Sequence, residues 1–169
     1  MLYGEDFTDT ATVNVLASFN NLVTNVSLNK VYLAPNFVPI LNDETDIAKA
    51  SEYLSIDGTT VSYTLVNGLS GQWQAQLKIN TDASIANGDD WYFSCKLSGV
   101  TGGYTIKLND SEELIKEQTG RISDATEGIT VSFSGTAPID ISNIPIMFDF
   151  GTCTAGTVVI SDILIAKTN

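Results

Sequence analysis

The sequence contains no histidine. That excludes triads and acid–base relays built on imidazole, and it removes the commonest ligand of zinc and iron sites. Cysteine is nearly as scarce. Cys95 and Cys153 are the only two, too few for a thiolate metal cage and enough for a single disulfide. Cys95 falls on the apolar parity of its segment, which reads as a buried free thiol. Basic residues are few, 8 Lys+Arg against 20 Asp+Glu, for a formal net charge of −12. Such a chain is a poor neutraliser of phosphates, so neither nucleic acid nor an anionic membrane surface is an expected partner. No apolar run approaches the roughly 18 residues that a spanning helix needs, so membrane insertion is not expected either. The start, MLYGEDFTD, has no basic stretch followed by an apolar one. The expectation is a module cut from a larger protein. Gly-rich phosphate loops, serine-nucleophile motifs and Cys/His pairs are missing as well.

What is present is alternation. In the segment GQWQAQLKIN, Trp73, Ala75, Leu77 and Ile79 share one parity and Gln74, Gln76 and Lys78 the other, the period-two pattern of a strand with one apolar face. The same pattern recurs in VSYTLV (61–66), WYFSCKL (91–97), YTIKLN (104–109), ITVSFS (129–134), IPIMFDFG (144–151) and TVVISDILIAK (157–167). Between these segments lie turn residues, as in NGLSG, NTDASIANGDD and SGVTGG. Short strands at steady spacing predict an all-β antiparallel sandwich. Helix is expected in two places at most: TDIAKASEYL (45–54), and DSEELIKEQTG (110–120), which reads equally as a long loop. The first 50 residues give no clear register. With no repeat, low-complexity tract or linker, the whole of 1–169 is expected to be one domain.

The polar parities are the candidates for chemistry. They comprise Gln74, Gln76 and Lys78; Tyr92, Ser94 and Lys96; Thr105 and Lys107; Thr130, Ser132 and Ser134; and Met147 and Asp149. If these strands share one sheet, its outer face is a field of amides, hydroxyls, amines and a carboxylate with a few aromatics. Sugars bind such surfaces, because their hydroxyls want amide and carboxylate partners and their C–H faces want aromatic planes. A solvated sheet face is the plainer reading of the same pattern. The remaining acids, Asp89, Asp90, Glu112 and Glu113, fall in turn-like segments, and nothing in the sequence sets two of them across a cleft as glycoside hydrolysis requires.

In order and spacing, WQAQLKI, GDDWYFSCKLSG, YTIKLND, ITVSFSGTAP, IPIMFDFG and TVVISDILI resemble the strand motifs of carbohydrate-binding modules of families 4, 9 and 22, over roughly residues 52–166. The resemblance implies a jelly-roll sandwich that binds a β-glycan in a cleft on its concave sheet without catalysing anything. It implies that Trp73 stacks on a sugar, that Gln76 hydrogen-bonds the chain, and that Asp149, two positions before Gly151, faces the ligand. Trp91 takes the position of the family's buried aromatic, which leaves Tyr92 as the second aromatic contact. Trp73 and Gln76 can serve one ligand only if Trp73 sits where the strand begins or beside a bulge. Gln74, Lys78, Lys96 and Lys107 join the candidate ligand-binding set through their parity.

The departures from the family concern its structural calcium. The closing motif reads ISDI, with Ser161 where the family has an aspartate, and near the N-terminus only Glu5 and Asp6 are available. These two and Asp162 are the candidate ligands for such an ion; no other cofactor is implied.

The function that the resemblance implies is binding of xylan, keeping an attached bacterial glycoside hydrolase (an endo-xylanase) near its polysaccharide, outside the cell or at its surface or periplasm. Mixed-linkage glucan, cellulose oligosaccharides and laminarin are alternative ligands. A structural or interaction sandwich without sugar affinity is the alternative of a different class.

Overall fold

The computed structural model describes residues 20–33, 51–108 and 116–168. Ten strands run through them: β1 (Val26–Leu33), β2 (Leu54–Asp57), β3 (Thr60–Leu65), β4 (Ala75–Thr81), β5 (Asp90–Ser98), β6 (Gly102–Leu108), β7 (Lys116–Ile122), β8 (Ile129–Thr136), β9 (Pro145–Asp149) and β10 (Gly156–Lys167). They form two five-stranded sheets, one in the order β1-β4-β9-β6-β7 and the other β2-β3-β10-β5-β8. Every pairing is antiparallel. The result is a jelly-roll β-sandwich, the predicted class.

Alternation builds the core. Ala75, Leu77 and Ile79 of β4, Ile146 and Phe148 of β9 and Ile106 of β6 point in from the first sheet and are buried. Val61, Tyr63, Phe93, Leu97, Ile160 and Ile165 meet them from the second. Each large side chain removed from water here contributes about 1.5–3 kcal/mol. Aromatic geometry adds to this: Trp91 meets Phe133 edge-on at 6.0 Å, and Phe148 stacks on Phe150 at 5.9 Å. Polar bonds also tie the two sheets together: at one edge Lys116 Nζ of β7 donates to the Ser134 carbonyl of β8 at 2.7 Å. The Tyr63 hydroxyl donates to the Tyr32 carbonyl at 2.8 Å, tying β3 of one sheet to β1 of the other. Burial first, and then the Asp149 charge, push the Tyr63 phenol up, so it stays protonated and keeps donating.

Three expectations are corrected. Residues 51–53 form a turn and Leu54 opens β2, so the helix expected over 45–54 does not extend there; 45–50 lie outside the described residues. Lys116–Gly120 belong to β7, not to a helix or loop, and 110–115 lie outside the described residues. KEQTGRI favours helix by composition, but pairing with β6 from Gly102↔Ile122 to Leu108↔Lys116 satisfies its backbone. Glycine also leaves room for a neighbour: a Cβ on Gly120 would come within 2.3 Å of the Tyr104 hydroxyl oxygen and displace that ring. Finally, the polar parities do not share one sheet. β4, β6 and β9 lie in the first, whereas β5 and β8 lie in the second.

Candidate functional site

Trp73 does not continue β4. Gln72–Gln74 form one turn of 3₁₀ helix immediately before the strand, and this turn breaks the parity read from the sequence. It swings the Trp73 indole outward, where it is half exposed, while Gln74 turns into the interior with no exposure. Trp73 then stacks on Tyr32 of β1, with ring centroids 6.0 Å apart and planes 26° from parallel.

The turn is clamped from several sides. Gln74 Oε1 accepts from the backbone N–H groups of Ser70 (2.7 Å) and Gly71 (2.9 Å). Gln72 Nε2 donates to the Asp149 carbonyl at 2.7 Å, and Thr152 Oγ1 donates to Gln72 Oε1 at 2.5 Å. Gly151 N–H donates to the Gln72 carbonyl at 2.8 Å. A Cβ at Gly151 would lie 1.7 Å from the Gly71 carbonyl oxygen, so only glycine allows this approach.

Below the Trp73–Tyr32 shelf, strand register lays out two rows on the outer face of the first sheet. The upper row runs Tyr32, Gln76, Asp149, Thr105, Thr119. Asp149 is 4% exposed, and a carboxylate so far from water needs partners. Gln76 Nε2 donates to its Oδ1 at 2.8 Å, and Lys107 Nζ lies 3.5 Å from its Oδ2. The carboxylate thus fixes which end of the Gln76 amide is the donor. The lower row runs Lys30, Lys78, Met147, Lys107, Glu117. Farther along β4, Asn29 Nδ2 donates to Asn80 Oδ1 at 3.1 Å, where a bulge sets Asn29 between Leu28 and Lys30. Amides, a carboxylate, amines and two stacked aromatics therefore occupy one surface, a set suited to a polyhydroxylated chain with apolar ring faces.

Of the residues expected from sequence, the structure brings Trp73, Gln76, Lys78, Lys107 and Asp149 together. Gln74 holds the turn from inside. Tyr92 and Lys96 project from the outer face of the second sheet, opposite Ser134 and Thr130 of β8. Tyr32, Lys30 and Gln72 were missed. Lys30, Val31, Tyr32 and Leu33 do alternate polar and buried, so KVYL carried a signal, although too short to set a register alone.

Glu5 and Asp6 lie outside the described residues. Asp162 sits at the irregularity of β10, at φ 52°, with Ser161 Oγ 3.4 Å from its Oδ2. Among the described residues no three His, Cys, Asp or Glu side chains group as a metal site would need. Cys95 and Cys153 are buried and not joined. Burial pushes the Cys95 thiol well up and that of Cys153 up to about 11, the latter partly offset by Arg121. Neither offers a thiolate near neutrality.

No family model matches the chain, and no curated protein does. Solved structures do. A structure described as "CBM4 structure and function" is 20% identical, with a TM-score of 0.51 over 68% of this chain and 75% of that one. "BiXyn10A CBM1 APO" is 15% identical, with a TM-score of 0.53 over 85% of this chain and 97% of that one. At such identities the likeness establishes that the chain has the fold of carbohydrate-binding modules.

Proposed function

We propose that this chain is a non-catalytic carbohydrate-binding module that holds a β-1,4-xylan chain along the outer face of its first sheet. In this reading a sugar ring stacks on Trp73 beside Tyr32, Gln76 and Asp149 supply hydrogen bonds to hydroxyls, and the chain continues along β4 past Lys78. The module keeps an attached endo-xylanase near its polysaccharide by raising its effective concentration there. It works outside the cell or at the bacterial surface or periplasm, where a polymeric substrate is met.

The observation that carries the reading is Trp73. At 50% exposure it is the one exposed large hydrophobic among the described residues. A network of backbone and amide hydrogen bonds fixes the turn that presents it. A pre-organised aromatic plane beside hydrogen-bonding amides is what a sugar ring requires. The Asp149 carboxylate faces an amide and an amine, an arrangement made for orientation and not for proton transfer.

Isothermal titration with xylohexaose, cellohexaose and laminarihexaose, alongside soluble xylan, tests the proposal. Saturable heat with xylohexaose and xylan is expected, at micromolar to millimolar affinity, or about 4–8 kcal/mol. Heat with another oligosaccharide instead reassigns the ligand. No heat with any of them removes the glycan reading and leaves a structural sandwich.

A further inference from the structure

The outward side chains of β4 step from Gln76 to Lys78 to Asn80, and Asp82 follows just past the end of the strand. Ser27 of β1 stands opposite Asn80. At this far end of the face lies a cavity of about 250 Å³, lined by Asn25, Ser27, Asn80, Thr81, Asp82 and Asn143. Three amides, two hydroxyls and one carboxylate make up the lining, with no aromatic or aliphatic residue among them. Ligand pockets commonly measure about 300–1,000 Å³, so this one has room for a single small ring.

The frame of the cavity is held in place. The Asp82 carboxylate accepts from the N–H groups of Thr24 and Asn25 and from the Thr24 hydroxyl, and its own N–H donates to the Asn25 carbonyl at 3.2 Å. Thr81 is buried, and its hydroxyl donates to the Ile144 carbonyl at 2.9 Å. Asn80 Oδ1 accepts from Asn29 Nδ2 at 3.1 Å, which leaves Asn80 Nδ2 as a donor to the cavity. The side chains of Asn25, Ser27 and Asn143 make no hydrogen bond to a described residue. Fixed walls therefore surround amide and hydroxyl groups that have capacity to spare.

We propose that this amide pocket is a second subsite, which takes one sugar unit of the glycan held at Trp73, either the end of the chain or a branch carried on it. The inference rests on the glycan-binding reading above and extends it. A sugar hydroxyl both donates and accepts, as amides and hydroxyls do. A cation fits this lining poorly: its one carboxylate already accepts three hydrogen bonds, and no cluster of acids forms among the described residues. Asn80 is four residues along β4 from Gln76, about 13 Å, so one oligosaccharide can reach both ends of the face. The two ends then work differently. Trp73 takes a ring by its apolar plane, whereas the pocket has no such plane and holds a unit by its hydroxyls.

Titration calorimetry with xylotriose, xylohexaose and an arabinose-substituted xylotetraose tests this, with the triose and hexaose of the cello- and laminari-series beside them. Wild-type protein should bind a hexaose or the branched sugar about tenfold more tightly than the triose, as roughly two added hydrogen bonds would give. A gain with the linear hexaose identifies the chain end as the occupant, and a gain with the branched sugar alone identifies the branch. The N80A/N143G variant should bind the triose as wild type does and lose the gain; glycine suits the left-handed backbone at Asn143, φ 52°. In NMR spectra of wild type, the side-chain amides of Asn25 and Asn143 should shift with the sugar that shows the gain and not with the triose. No gain in wild type, a gain that survives in N80A/N143G, or amides that stay still would overturn the pocket and leave the glycan reading in place. No heat with any sugar would overturn both.

Discussion

The two outer faces of this sandwich are built by the same rule and end differently. Both arise from period-two alternation. The outer face of the second sheet is mostly hydroxyls: Ser62 and Thr64 on β3, Thr157 and Ser161 on β10, Ser94 and Ser98 on β5, and Thr130, Ser132 and Ser134 on β8. Tyr92 and Lys96 stand among them. The first sheet carries amides, a nearly buried carboxylate, a row of lysines and an aromatic shelf. What separates the faces is organisation, since Asp149 gathers Gln76 and Lys107 and the clamped turn holds Trp73 in place. Polarity makes a face wettable, whereas fixed geometry makes it able to select a ligand.

The strongest way to break this comparison is to remove an aromatic from each face. Trp73→Ala should cost at least about 2 kcal/mol of xylohexaose binding, as loss of a central aromatic does. Tyr92→Ala should change binding by less than about 0.5 kcal/mol. Titration calorimetry on the two variants reads both numbers, and equal losses would erase the distinction between the sheets.

A second substitution tests whether the turn matters as such. Gly151→Ala places a methyl group against the Gly71 carbonyl. The backbone must move, and overpacking of this kind destabilises by about 1–3 kcal/mol. Urea unfolding should show that loss, and sugar affinity should fall although no ligand-facing side chain has changed.

Gln76→Ala probes the upper row. It should weaken binding by about 1–3 kcal/mol, since a sugar hydroxyl and the Asp149 carboxylate both lose a partner. Affinity unchanged in this variant would move the ligand off the row.

The smallest effect concerns how β1, which brings Tyr32 and Lys30, is held. The Asp82 carboxylate accepts from the backbone N–H groups of Thr24 (2.8 Å) and Asn25 (3.0 Å) and from the Thr24 hydroxyl. Those bonds, the Thr24 hydroxyl first, hold its pKa down to about 2. A carboxyl lowered on folding stabilises the native state above the usual carboxylate range, and that contribution is lost as pH falls toward about 2. Asp82→Asn should therefore lower Tm modestly at neutral pH, with the difference from wild type closing on acidification. A constant difference across pH would mean that the charge is not what matters.

Much of this fold was legible in the sequence. Seven alternating segments correspond to strands β3–β6 and β8–β10; the apolar parity is the more buried one within β3–β6 and β8, whereas β9 is buried at both parities and β10 changes parity at its irregularity between Ser161 and Leu164. Trp91 was read as core and is 1% exposed. The missed strands have physical reasons. β7 carries charge and amide at both parities because it pairs only with β6, at the edge of its sheet. β2 has only four residues. β1 contains a bulge that shifts its register between Leu28 and Lys30, which breaks the period.

The candidate site was less legible, because alternation tells which way a side chain points but not which strands are neighbours. β5 and β6 follow one another across a short glycine turn and still belong to opposite sheets. That sends Tyr92 and Lys96 away from Gln76 and Asp149. The parity of Trp73 and Gln74 failed for a local reason, the single 3₁₀ turn before β4, and that same turn lets Trp73 and Gln76 serve one surface. The expectation that Trp73 sits where the strand begins was carried by this geometry, with Gly71 preceding it.

The central claim is that a glycan lies on the outer face of the first sheet against Trp73. Nitrogen–proton NMR during titration with xylohexaose tests it most directly. The account predicts that the Trp73 indole N–H, the Gln76 side-chain amide and the backbone amides of Tyr32 and Lys78 shift with one saturation curve, while those of Ser94, Lys96 and Ser132 stay still. Shifts confined to the second sheet, or a spectrum unmoved at saturating sugar, would contradict it.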